Sequence, residues 1–191
     1  MGTTGFILLG SGVIAFMYGV LIYNSLVTLK HGLRKAWSNI DVVLKQRHEE
    51  LPKLVEVCRQ YMAYEKATLE RVVDARAAVF AARERADPAA LGAAEGTLRQ
   101  GLGALFAVSE AYPELKSDAH FSGLRARISE LENAIADRRE LYNDAVNLNN
   151  ARLEQVPDVL VARLFGFKPG TLLEFGAEDT LNPDLRALFR G

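Results

Sequence analysis

The sequence predicts an all-α protein, with an N-terminal transmembrane helix followed by an antiparallel bundle of three to four long helices. Two observations carry this. Residues 1–29 contain no charged side chain. From Leu33 onward, apolar residues recur at alternating steps of four and three, the spacing that lines one face of a helix packed along another. No convincing strand pattern accompanies them.

The run GFILLGSGVIAFMYGVLIYNSLVTL is long enough, at ~1.5 Å per residue, to cross a hydrocarbon core of ~30 Å. A cleavable signal peptide would call for a basic start and an A-x-A-like site after the apolar run. The chain has neither. The flanks are unequal, with MGTTG uncharged on one side and Lys30, His31, Arg34 and Lys35 on the other. The positive-inside bias then places the N-terminus outside and the chain after Lys30 in the cytoplasm. The expected organisation is an anchor over 1–29, a helical bundle over 30–167 and a tail over 168–191.

The first bundle helix is expected from about residue 33 to 85, its seam running through Leu33, Trp37, Ile40, Leu44, Leu51, Leu54, Cys58, Tyr61, Val72 and Val79. Pro52 lacks the N–H that would bond to residue 48, so a kink or a division is expected there. The helix should stop near RADPAAL, where Asp87 can cap a second helix and Pro88 suits its first position. That helix carries Gly92, Gly96, Gly101 and Gly103, each costing ~1 kcal/mol relative to alanine. It should therefore depend on close packing, and Pro113 should end it. A third helix keeps one register from Phe121 through Leu124, Ile128, Leu131, Ile135, Tyr142, Val146 and Leu153 to Val156. Pro157 marks a break before the short apolar segment VLVARLFGF, Pro169-Gly170 reads as a turn, and NPDLRALF reads as a short capped helix.

Charges interrupt the seams at Arg47, Glu65 and Arg138. Arg47 and Glu65 would lie ~27 Å apart on one helix, so each needs a partner from elsewhere. They form either a buried ionic network or long side chains whose heads reach water. Polar Asn150 and its neighbours in NLNN interrupt the third seam in the same manner.

No catalytic, cofactor or metal site is expected. His31, His48 and His120 lack the spacing that puts two imidazoles on one helical face, and there is no C-x-x-C. GLG at 101–103 lies within a helical pattern and does not follow a strand, which excludes a phosphate loop. Cys58 sits on a packing seam, where a thiol is inert. A formal net charge of −1 argues against nucleic-acid binding.

Several separate motifs, in order, resemble the LemA family. They are Tyr23-Asn24 at the end of the apolar run, AWSNIDVVLKQRHEELPKLVEV with Trp37, Arg47 and Pro52, and Tyr61 with Glu65. In the second half come EAYPEL, Leu131-Glu132, Arg138, Tyr142-Asn143, Pro157 and LFGF at 164–167. Asn149 departs from the family, which often has tyrosine there. The resemblance implies a bacterial inner-membrane protein crossing the bilayer once, with a cytoplasmic antiparallel helical bundle and no established catalytic residues.

Three functions compete on these grounds. The first is a membrane-anchored scaffold that self-associates and meets unidentified membrane or cytoplasmic proteins. The second is an enzyme or regulatory subunit with a polar site formed by Arg47, Glu65 and Arg138. The third is a membrane-shaping or lipid-sensing protein with VLVARLFGF as an interfacial helix. For the first, Ser11, Ala15 and Gly19 repeat at four-residue spacing and permit close helix contact. A helix over 33–85 would also run ~80 Å against ~33 Å for its successor. The third helix can cover part of the remainder if it packs along the same face, or a break at Pro52 can fold the first helix back on itself; if neither happens the seam, including Trp37 and Leu44, lies open, and a homo-oligomer with contacts in residues 5–54 is expected.

Overall fold

The computed structural model describes residues 2–175, whose regular elements are all helices: α1 Thr3–Tyr61, α2 Lys66–Glu84, α3 Pro88–Ser109, α4 Pro113–Ser117, α5 Ala119–Glu154 and α6 Asp158–Phe165. No strand occurs among the described residues. The expected helix in NPDLRALF lies outside them. The chain divides into two compact units, one formed by the chain up to Asn39 with Glu140–Thr171, the other by Ile40–Arg139 with the described residues from Leu172.

In the second unit the expected helix over 33–85 is two helices. The break falls at 62–65, not at Pro52, which lies inside an unbroken α1. Arg76 explains why the proline is tolerated. Its Nε donates to the His48 carbonyl at 3.0 Å, replacing the hydrogen bond that Pro52 cannot supply. Seven residues earlier on α1 and seven later on α2, Arg83 Nε meets Asp41 at 2.5 Å. The two pairs fix α2 antiparallel to α1. The seam side chains Ile40, Leu44, Leu51, Leu54 and Cys58 of α1 are buried, as are Val72 and Val79 of α2.

Asp87 caps α3 as expected, accepting from Ala90 N at 3.1 Å with Pro88 at the first turn. Ala86 takes the left-handed conformation just past α2, with φ 48°, so that the chain reverses in a single residue. The α3 glycines serve two kinds of approach. Gly101 meets Val72 of α2, and at Gly92 a Cβ would overlap the Glu174 carbonyl, so the chain after α6 lies directly on that helix. Asp118 caps α5 through Phe121 N at 2.8 Å and accepts from Tyr61 at 3.2 Å.

In the first unit, α1 packs with α5 and α6 around Ile22, Leu26, Leu153 and Ala162, with Val161 and Phe167 beside them. Trp37 of α1 stacks edge-on against Tyr142 of α5, centroids 5.4 Å apart. Asn150 clamps the chain as it returns from α6, its carbonyl oxygen accepting from Gly170 N at 2.8 Å and its amide donating to Gly170 O at 2.9 Å. Tyr142 donates to the Thr171 carbonyl at 2.9 Å. Gly166, at φ 69°, ends α6 in the left-handed region where only glycine is free of strain. Val156, expected on the α5 seam, lies past the end of that helix and is exposed.

Candidate functional site

Arg47 is the centre of the one charged cluster described in the core. The heptad spacing that places Leu44, Leu51 and Leu54 inward also turns residue 47 inward, and its side chain is 1% exposed. One guanidinium nitrogen donates to Glu95 of α3 and another to Glu132 of α5. Glu132 continues to Arg99 of α3 at 3.7 Å. The chain of charges thus runs from the core outward, Glu95 being 2% exposed, Glu132 21% and Arg99 41%.

Three helices meet at this one guanidinium. A planar fork with two carboxylates suits the rigid geometry of arginine, although its Nε stays buried without a partner. Burial works against the charge on Arg47, but Glu95 and then Glu132 outweigh it and hold the guanidinium ionised. For Glu95 burial is the largest influence and raises its pKa, Arg47 pulls it down, and Glu132 raises it further, leaving the carboxyl above its ordinary range. The two directions are compatible. One arginine stands between two acids, and the more deeply buried acid bears the cost of desolvation.

Glu65 and Arg138 lie elsewhere. Glu65 precedes α2 and accepts from Tyr112 at 3.3 Å. Arg138 donates to the Ala134 carbonyl, one turn back on α5. Glu95, which the sequence reading passed over, stands four residues after Leu91 and three before Leu98. That seam position was the signal that could have found it.

The proposed oligomer contacts also part company. Leu44 is buried within its own unit, and Trp37 is half-buried against Tyr142. Of the alternatives for this seam, cover within the chain is the one observed, with α5 against Trp37 and Arg47 and α2 against Asp41. Ser11 and Ala15 are exposed and Gly19 half-exposed on the apolar stretch. Cys58 is fully buried and its thiol is pushed up to about 11 by burial. Among the described residues, no group of three or more His, Cys, Asp or Glu side chains is placed to hold a metal.

The family model described as "LemA family" matches residues 36–186. The chain belongs to the LemA family. The matched region holds Arg47, Glu95, Glu132, Arg99 and both α2 clasps, while the apolar run precedes it. The chain is also similar to magnetosome proteins MamQ 2 and MamQ 1 of Paramagnetospirillum magneticum, each 27% identical over 82% of this chain and 66% of the relative. Magnetosome protein MamQ of Magnetospirillum gryphiswaldense is 25% identical over the same shares. The match therefore spans just under two thirds of the length of these relatives. In this LemA-family chain, α1 contains a segment long and apolar enough to cross a membrane.

Proposed function

We propose that this LemA-family chain is a non-catalytic scaffold held in the bacterial inner membrane by a single pass, with its N-terminus outside and its helical bundle presented to other proteins in the cytoplasm. One observation carries the reading. On the unbroken α1, Phe6, Ile7, Leu8, Leu9, Ile14, Phe16, Met17 and Leu21 all stand exposed, burial begins only at Ile22 and Leu26, and the first charge is Lys30. A helix apolar on every side is at home in lipid and out of place in water. The continuity of α1 supports direct mechanical connection of anchor and bundle, with no loop between them. The Arg47 cluster supports a structural role, because its acids are occupied by arginines.

Self-association belongs to this reading through the anchor. Copies held at one height and orientation meet at raised effective concentration, and Ser11, Ala15 and Gly19 would admit close approach. Disulfide formation at Ala15→Cys, absent at Glu130→Cys, is the expected result.

Orientation is tested by Thr4→Cys and Tyr64→Cys with a membrane-impermeant maleimide on intact spheroplasts. Cys58, buried and weakly ionised, does not compete. The Thr4→Cys protein should label at once and the Tyr64→Cys protein only after lysis. The reverse order would overturn the assigned topology.

A further inference from the structure

We infer that α6 is an interfacial helix, seated in the lipid leaflet at the Lys30 end of the span, an inference that rests on the membrane anchoring proposed above. The two faces of α6 differ. Asp158 and Ala162 are buried against the unit, whereas Leu160 and Leu164 on the opposite face are 66% and 78% exposed, and Val156, in the turn before the helix, is 82% exposed. Leu160 and Leu164 stand four residues apart and form one outward stripe of α6. Exposed leucines of this kind on a helix that already has a buried face need an apolar neighbour.

The position of α6 identifies that neighbour. Phe165 and Phe167 stack on Tyr23 of α1, with centroids 4.7 and 5.8 Å away, and Ala162 packs in the cluster with Ile22 and Leu26. The helix therefore sits beside the point where α1 first buries one face. Beyond Leu21 one face of α1 is buried by α5 and α6 while the run stays uncharged as far as Leu29, so the outward stripe of α6 adds apolar surface at the Lys30 end of the span.

Charge surrounds the stripe in the way an interfacial helix requires. Arg163 on α6, Lys168 just after it, and Lys30, Arg34 and Lys35 on α1 are all exposed. Lys30 lies over the Phe167 ring at 6.0 Å. Residues 1–40 contain no acidic side chain, and Asp158, the acid within α6, is buried beside Arg152 at 2.6 Å. Basic heads at headgroup level with leucines below them match an anionic lipid surface. The lipid bilayer is thus the occupant of this face, touched by α6 as well as crossed by α1.

The test uses the full chain in vesicles of phosphatidylglycerol and phosphatidylcholine whose acyl chains carry bromine. Single cysteines at Leu160, Leu164, Phe16 and Glu130 are labelled with a small fluorophore, the buried Cys58 remaining unlabelled. Labels at 160 and 164 should be quenched in brominated lipid, as the label at 16 is, because a residue of an interfacial helix lies in the leaflet, and the label at 130 should not change. Quenching at 16 with none at 160 and 164 would overturn the interfacial helix while leaving the anchor in place. An unquenched label at 16 would remove the anchor and the inference together. Labels at 160 and 164 shielded from both brominated lipid and aqueous iodide would show that protein covers the stripe, and would likewise overturn it.

Discussion

Pro52 and Arg76 form a pair that neither residue explains alone. The proline takes a donor from the His48 carbonyl, and Arg76 supplies one from the next helix. Arg76→Ala should therefore cost about 1–3 kcal/mol, the penalty for an acceptor left without a donor. In a Pro52→Ala background the new N–H restores the helical bond and the cost should fall, a coupling that a double-mutant cycle in urea would measure. His48 extends the same contact, its Nε2 lying 2.8 Å from Arg76 and its ring stacking on Phe80. Burial, then Arg76 and Arg83, hold its pKa below the ordinary 6.5, against a smaller pull from Glu49. A lowered folded-state pKa means the unfolded chain binds the proton more readily. The contribution is present above about pH 6.5 and is lost as pH falls through the depressed value. Thermal unfolding from pH 7.5 to 5 should show a decline that His48→Gln reduces; an unchanged decline would remove His48 as its source. At Arg47, replacement by alanine should cost about 3–5 kcal/mol by leaving Glu95 buried and unpaired, whereas replacing Arg47, Glu95 and Glu132 together by apolar residues of similar volume should cost far less. Equal losses in chemical denaturation would contradict the cluster's role in fixing helix register.

The elements show why some of this was legible in the sequence. Three-and-four periodicity from Phe121 to Leu153 reports the burial of α5 directly, failing only at Val156 past its end, and the Asp87 cap with Pro88 after it is local chemistry that the sequence displays. Asp87→Ala should cost about 1 kcal/mol in thermal unfolding, the usual worth of such a cap. The division between α1 and α2 was misplaced for a physical reason. Residues 62–65 contain neither glycine nor proline, and the reversal is set by contacts such as Arg83 with Asp41, which no local pattern displays. At Pro52 the local signal was real, yet a donor 28 residues along from His48 offset it. The buried cluster was half legible. Arg47 stood out as a charge on an apolar seam, but its partners lie 48 and 85 residues along the chain. Such distant pairings follow from how helices pack, which spacing alone does not encode. An interfacial role for VLVARLFGF was already among the readings of the sequence, but which of its residues face outward was visible only once its neighbours were known.

At the scale of the molecule, the account turns on α1 leaving water before Ile22 and remaining one helix through the bundle. The large apolar side chains from Phe6 to Leu21 stand exposed among the described residues, and apolar burial is worth roughly 25 cal/mol per Å². Lipid is the environment that supplies it. Extraction of native membranes at alkaline pH, followed by intact-mass measurement of the protein that remains in the pellet, tests this directly. The account predicts that the protein stays in the pellet with the apolar segment from Phe6 to Leu21 still attached to the bundle. Release into the supernatant, or a mass lacking the apolar N-terminal segment, would contradict it.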